Sequence, residues 1–154
     1  MAVAAIRPKE FHFPVSTHWV GERRVAVGVE GKQTVEITPP LEFRGTDPTT
    51  WSPEDLFVAS AASCLAVTYT GLASRAGLAY SSLDVDGDGI AGTRSDRRFG
   101  FTSIDLFLTV AVEPGDEAKA REVADQAERS CLVAASLDLP VDVSIDVRTN
   151  PPGQ

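Results

Sequence analysis

Residues 51–64 read WSPEDLFVASAASC, and this stretch decides the fold. Ser52 is a residue type that caps helices well, and Pro53 suits the first helical position because its fixed φ is already helical. The apolar run continues to about Ala76, and Gly77 is typical of a helix end. The sequence therefore predicts one long helix that carries the first of two cysteines near its middle.

This predicted helix is almost uncharged from Leu56 to Ser74. A helix without a polar face has no side to turn toward water, so it must be buried nearly all round. At roughly 22 residues it is about 33 Å long, which is hard to cover within one chain of this size. The pattern predicts burial against a second copy of the chain.

The remaining elements predict a single α+β domain over residues 1–154, with a largely antiparallel sheet. Alternating apolar residues predict strands, and a charged amphipathic pattern predicts a second helix. The ends 1–9 and 150–154 are expected to be flexible. The predicted elements are a hairpin over 24–30 and 34–38, strands at 82–93 and 98–112, a helix at 116–129, a short helix at 131–137 capped by Ser130, and a last strand at 141–148.

Composition excludes several classes of function. The formal net charge of −8 repels a phosphate backbone, so nucleic-acid binding is not expected. The sequence has no run of 18 apolar residues, which predicts that the chain has no membrane span. The N-terminal residues lack the pattern of a secretory signal, which favours a cytoplasmic protein whose thiols are kept reduced.

The two cysteines allow two interpretations. Cys64 lies among small and apolar residues, where a cysteine is commonly an inert core residue; a reactive thiol needs a cation or a hydrogen-bond donor from elsewhere in the fold. Cys131 opens a predicted helical turn, where backbone N–H groups are expected to lower its pKa. The cysteines are 67 residues apart (131 − 64), so there is no local CxxC motif.

No metal site is expected from the local sequence. The run Asp84 to Gly89 begins like a calcium loop, but Ser95 stands where that loop needs a glutamate, so we interpret it as a strand with outward aspartates. His12 and His18 lack neighbouring carboxylates or cysteines in a ligand pattern, and we interpret both as surface or interface residues.

Three features together resemble the OsmC/Ohr family of thiol-dependent peroxidases, which reduce organic hydroperoxides. They are Ser-Pro-Glu-Asp-Leu-Phe at 52–57, the small-residue run that ends at Cys64 ten positions after Glu54, and Glu-Arg-Ser-Cys at 128–131. The resemblance covers essentially the whole chain. It implies an intertwined homodimer with two long central helices between sheets, and sites at the subunit interface.

The resemblance also implies a role for each candidate residue. Cys64 resembles the peroxidatic thiol, Cys131 the resolving thiol, and Glu54 the carboxylate that orients an arginine over the thiolate. The candidate arginines in the sequence are Arg23, Arg24 and Arg44. Arg23, which follows Gly21-Glu22 in the first hairpin, is the first choice for the role, and Arg44 is the alternative.

Apolar residues beside the thiol would then favour an alkyl or lipid hydroperoxide as substrate; they are Leu56, Phe57 and Leu65. No metal or organic cofactor is expected, only an external reductant such as a dithiol or a lipoylated protein. Two alternatives stay open. The chain could bind a small hydrophobic ligand at the dimer interface without catalysis, or act as a thiol enzyme on another electrophile.

Overall fold

The computed structural model describes residues 9–149, so the predicted flexible ends lie outside the described residues except for residue 9. The chain divides into two compact units, Met1–Pro53 and Glu54–Gln154. Each unit is described by itself below.

The N-terminal unit is a three-stranded antiparallel sheet followed by a loop. Its strands are β1 (Ser16–Gly21), β2 (Arg24–Gly28) and β3 (Val35–Ile37), in that order across the sheet. A 3₁₀ turn, Leu41–Phe43, follows. The backbone N–H of Thr38 donates to the carbonyl of Trp51 at 2.9 Å, which ties the end of this loop back to β3.

The C-terminal unit packs helices on a second three-stranded sheet, in the order β4, β5, β6. Strands β4 and β5 are antiparallel, whereas β5 and β6 are parallel and are joined through two helices. The helices are α1 (Pro53–Ala76), α2 (Glu117–Ser130) and α3 (Leu132–Ala135), and the strands are β4 (Ser82–Thr93), β5 (Phe99–Val112) and β6 (Val141–Thr149).

The core of this unit forms where one face of each element meets. Helix α1 contributes four residues at helical spacing, and β5 contributes alternate residues, because these are the periods of a helix and a strand. The fully buried members are Ala61, Leu65, Tyr69 and Ala73 of α1, Ile104, Leu106, Leu108, Val110 and Val112 of β5, and Ala120, Val123, Ala124 and Ala127 of α2.

Glycines in β4 let α1 lie close to the sheet. A Cβ atom at Gly89 would overlap the side chain of Val58, and one at Gly87 would lie 3.0 Å from Val58 Cγ1. The run that begins like a calcium loop is therefore part of β4, as expected, and its glycines have a packing role.

Helix α1 begins and ends as its caps predict, with Gly77 in the left-handed region at φ 60°. By length and composition alone it could cross a membrane, since an 18-residue window has a mean hydropathy of 1.6. Length and composition do not by themselves show a span, so the expectation that the chain does not cross a membrane stays a prediction. Four of its side chains are core residues of the C-terminal unit, which is typical of the core helix of a globular domain.

The junction of the two later helices differs from the prediction. Ser130 is the last residue of α2 instead of a cap, and Cys131 is the N-cap residue of α3, with extended backbone at φ −68° and ψ 107°. The chain turns sharply at Cys131 because one extended residue separates two helices.

Candidate functional site

Both cysteines lie in the C-terminal unit, and their side chains meet. The Cys131 thiol donates a hydrogen bond to the sulfur of Cys64. Both residues are free thiols, with Cys64 partly exposed and Cys131 buried. The fold thus brings together two groups that are 67 residues apart in sequence (131 − 64).

The surroundings of Cys64 favour its thiolate. Burial opposes ionisation, but the N–H of Val133, the Cys131 thiol, the hydroxyl of Thr68 and the N–H of Leu132 all donate toward its sulfur, and the net effect lowers the pKa of Cys64. Hydrogen bonds to a charged form stabilise that form. None of these donors is a cation.

The surroundings of Cys131 favour its neutral thiol. Burial raises the pKa of Cys131, and the neighbouring Cys64 raises it further, while the N–H of Ala134 opposes this rise. The N–H groups of Ala134 and Val133, at the start of the short helix, do lower the pKa of Cys131 as expected, but burial and Cys64 outweigh them, so the expected net lowering was wrong. The N–H groups of Val133 and Leu132 also donate toward Cys64.

The two thiols should differ in their pH profiles. A lowered pKa means that Cys64 loses its proton at lower pH, so its alkylation by iodoacetamide should reach half-maximal rate below the pH found for an unstructured cysteine peptide, and Cys131 should do so above it. Peptide mass spectrometry of alkylated protein separates the two sites. Thr68→Val should move the Cys64 midpoint upward. Equal midpoints for both cysteines would contradict this assignment.

The apolar residues near the thiol take different positions. Phe57 stacks on Phe101 with ring centroids 4.6 Å apart, and it is only partly buried, as is Leu56. Leu65 is 1% exposed and belongs to the core of the C-terminal unit. The predicted contact of Leu65 with substrate stays a prediction, because its side chain is buried in the core.

A cavity of about 310 Å³ adjoins the buried side of Cys131. Its walls are mostly apolar, and Glu128 and Arg129 are its charged members. The other lining residues are Leu65, Leu106, Cys131, Ala134, Ala135, Leu139, Val141 and Val143. This size is at the lower end of the range for small-molecule pockets.

The carboxylate of Glu54 lies in the first turn of α1, as predicted. Its Oε2 atom is buried and has no hydrogen-bond partner among residues 9–149. Buried carboxylate oxygens normally have a partner, and the predicted partner of this one is an arginine. The pairing itself stays a prediction.

The candidate arginines lie in the N-terminal unit and have different partners. Arg24 forms ion pairs with Glu36 at 2.9 Å and Asp47 at 3.0 Å, so its charge is neutralised locally. Arg23 donates to the carbonyl oxygens of Phe43 and Arg44, both at 3.2 Å. Within the described part of the chain, no carboxylate forms an ion pair with Arg23 or Arg44.

Asp47 is held as a carboxylate by its own loop. The hydroxyls of Thr50 and Thr49, the N–H of Thr49 and the guanidinium of Arg24 keep the pKa of Asp47 well below its usual range. Arg24 is therefore a structural residue that joins β2 and β3 to the following loop. Arg23 and Arg44 remain as the candidates for chemistry.

Three groups at the thiol site were missed from the sequence. Thr68 is four residues after Cys64 and so shares its side of the helix, which is a signal the sequence contains. The backbone donors of Leu132 and Val133 carry no sequence signal. Among residues 9–149, no cluster of three or more His, Cys, Asp or Glu could hold a metal ion.

Comparison with known proteins identifies the family to which the chain belongs. The family model for OsmC-like protein matches residues 45–146, and the chain belongs to this family, the OsmC/Ohr family. The uncharacterized protein YmaD of Bacillus subtilis is 24% identical over 142 residues, which are 89% of this chain and 93% of that protein.

Solved structures share the fold. An OsmC-like protein of unknown function from Vibrio cholerae superposes with a TM-score of 0.80 at 16% identity, over 88% of this chain and 99% of that one. The organic hydroperoxide resistance protein OhrB of Bacillus subtilis superposes with a TM-score of 0.61 at 22% identity, over 90% of this chain and 98% of that one. At these identities the likeness shows the fold.

Proposed function

We propose that this protein is a thiol-dependent peroxidase that reduces organic hydroperoxides, with Cys64 as the attacking thiol and Cys131 as the resolving thiol. The observation that carries the proposal is the hydrogen bond between the two sulfurs together with the opposite directions of their pKa shifts. A thiolate attacks and a nearby thiol resolves, so the asymmetry matches the two roles. Membership of a family that includes organic hydroperoxide resistance proteins supports the same conclusion.

The proposed cycle has three balanced steps. The Cys64 thiolate attacks the terminal oxygen of ROOH, the O–O bond breaks, and the alkoxide takes a proton to leave as ROH, which gives Cys64 sulfenic acid. The Cys131 sulfur then displaces the hydroxyl group, which leaves as water with the thiol proton, and a disulfide forms. An external dithiol gives two electrons and two protons to restore both thiols.

The arginine role goes to Arg23, with Arg44 as the substitute. A guanidinium stabilises a thiolate and polarises the leaving oxygen of a peroxide. Neither residue has a carboxylate partner among residues 9–149, so the positive charge of either one is available to stabilise the thiolate. Glu54, whose Oε2 lacks a partner, is the proposed group that orients it.

The proposal includes the setting of the enzyme. The substrate is an alkyl or lipid hydroperoxide, because the residues near the thiol are apolar. The reductant is a dithiol such as a lipoylated protein, the compartment is the cytoplasm, and no resident cofactor takes part. The protein acts as a homodimer that buries the exposed face of α1.

Counting thiols after one equivalent of cumene hydroperoxide tests the proposal. We expect the wild type to lose two thiols per chain within one turnover, with the rate lowered roughly 1,000-fold or more in Cys64→Ser. Circular dichroism confirms that the variant is folded. If both wild-type thiols survive the peroxide, or if Cys64→Ser keeps its rate, the protein is not a peroxidase of this type.

The cavity beside Cys131 favours a second candidate, a binding protein for a small hydrophobic ligand. Its walls are largely aliphatic, and its size of about 310 Å³ suits a short alkyl chain. In that case the cysteines would be packing residues. Retention of an apolar ligand through purification, with thiols that resist both peroxide and alkylation at neutral pH, would favour this function over catalysis.

A further inference from the structure

A second cavity, in the N-terminal unit, is lined by an unusual concentration of arginine. It measures about 220 Å³, and its walls include Arg23, Arg24 and Arg44. The other lining residues are Glu22, Thr38, Pro39, Gly45 and Thr46. In a chain of net charge −8, three arginine residues in the wall of one small cavity need an explanation.

The charges in this cavity are not cancelled within the described chain. Arg24 is neutralised by Glu36 and Asp47. Arg23 donates to two carbonyl oxygens through one nitrogen, Nη1, and its Nε and Nη2 donors have no hydrogen-bond partner among residues 9–149. Arg44 has no ion-pair partner there either. The one carboxylate that lines the cavity is that of Glu22, so the local balance is positive.

Thr38 provides an independent sign of a missing partner. The residue is 7% exposed, and its Oγ1 atom is buried without a hydrogen-bond partner in the part of the chain that the structure describes. Buried hydroxyl groups are nearly always hydrogen-bonded, and an acceptor brought by a ligand would satisfy this one.

The wall of the cavity is built to be rigid. The N–H of Gly45 donates to the carbonyl of Pro40 at 2.9 Å, and a Cβ atom at Gly45 would overlap the carbonyl oxygen of Pro39. Arg44, just before it, adopts the left-handed conformation at φ 63°. This close approach restrains the backbone beside Arg44.

We infer that this cavity binds a phosphate group, held by Arg23, Arg44 and the Thr38 hydroxyl, a function that goes beyond the proposed peroxidase and competes with the arginine role in it, since a bound phosphate occupies both guanidinium groups. A carboxylate is satisfied by one guanidinium fork, whereas a phosphate has enough oxygens for two guanidinium groups and a hydroxyl. Because the cavity is larger than the anion, a small phosphorylated compound is the expected ligand class.

The two tryptophans of the chain, Trp19 and Trp51, provide the readout. Trp19 Nε1 donates to the carbonyl of Glu22 at 3.0 Å, and the Trp51 carbonyl accepts from the N–H of Thr38. Titration with inorganic phosphate at constant ionic strength, in the Cys64→Ser background, should therefore change the tryptophan emission saturably. Using that background separates this test from the fate of the peroxidase proposal.

Variants make the test specific. Arg44→Gln and Thr38→Val should each weaken phosphate binding, Arg44→Gln by about tenfold or more, and Glu22→Gln should strengthen it because a repelling charge is removed. Arg98→Gln is the matched control, since Arg98 is an exposed arginine of the other unit that pairs with Asp96. Arg98→Gln should bind phosphate as the parent does.

Three outcomes would overturn the inference. They are no saturable response to phosphate by fluorescence or calorimetry, equal weakening by Arg44→Gln and Arg98→Gln, or binding of acetate as tight as that of phosphate. The last result would assign the cavity to carboxylates. Thermal unfolding of each variant identifies any that fail to fold, and Glu22→Gln, which removes only a surface charge, keeps the inference testable in that case.

Discussion

Cys131→Ser should perform one reduction of hydroperoxide and then stop. The attacking group, Cys64, remains in place, so the first equivalent of cumene hydroperoxide is still consumed. Without the second thiol, the Cys64 sulfenic acid has no internal partner and reacts with further peroxide to sulfinic acid. Steady-state turnover with a dithiol reductant should therefore fall on the order of 100-fold.

Mass spectrometry of the Cys64 peptide measures this outcome directly. The wild type should show a disulfide to Cys131, and the variant should show a gain of about 32 Da from two oxygens. The variant also loses the Cys131 hydrogen bond to the Cys64 sulfur, so its first reduction should be slower than in wild type. A variant that turns over at the wild-type rate without over-oxidation would show that Cys131 has no resolving role.

Cys131 is well packed, so a change in packing must be separated from the loss of its thiol. It is 2% exposed and lines the cavity of the C-terminal unit, so serine there removes a sulfur from an apolar wall. Cys131→Ala is the control that avoids burying a hydroxyl group. Both variants should give the same over-oxidation product if the role of Cys131 is chemical.

Much of the fold was readable from local signals. The bounds of α1 follow from Ser52, Pro53 and Gly77, whose preferences depend on a few neighbouring residues, and β4 and β5 follow from their turn residues and alternation. The parallel pairing of β5 with β6 was not predicted. It depends on how α2 and α3 carry the chain across the sheet, which no local pattern specifies.

The sequence predicts which residues form the candidate site, but it does not predict the contact between them or their pKa shifts. The sequence marks Cys64 and Cys131, yet it cannot show that their sulfurs meet, because that contact depends on the packing of α1 against α3. The error about the Cys131 pKa has the same origin. Backbone N–H groups at the start of α3 act on both cysteines, and at Cys131 burial and the neighbouring Cys64 outweigh them, which no local pattern in the sequence shows.

Val67→Asp should convert a dimer into monomers. The outward face of α1 consists of small or apolar residues, and Val67 at its centre is 70% exposed. The other members of this face are Ser60, Ser63, Thr70, Gly71 and Ser74, all exposed. Only 22% of the most apolar 18-residue window of α1 is buried within the chain, so much of this apolar helix has no partner there.

The polar atoms on this face do not prevent such burial. The hydroxyls of Ser60, Ser63 and Thr70 donate to carbonyls of their own helix, those of Phe57, Ser60 and Val67, at 2.7, 3.3 and 2.8 Å. Three of the four hydroxyl groups on this face are therefore already paired, and paired polar groups can leave water at little cost. A second copy of α1 can therefore approach closely against these small side chains.

Sedimentation equilibrium at micromolar concentration measures the effect. The wild type should behave as a particle of twice the chain mass of 16.4 kDa, and the buried, unpaired charge in Val67→Asp should raise the dissociation constant roughly 100-fold or more. Ser144→Asp, which adds the same charge to an exposed position of β6, should stay dimeric. A monomeric wild type, or a dimeric Val67→Asp, would contradict the prediction.

Val67→Asp also tests whether peroxidase turnover depends on dimer formation. Cys64 is three residues before Val67 and lies at the edge of this face, so a partner helix would restrict access of water to the thiol. If the dimer completes the site, Val67→Asp should lose peroxidase turnover while its Cys64 still reacts with iodoacetamide. Full turnover by a proven monomer would mean that one chain contains everything the reaction needs.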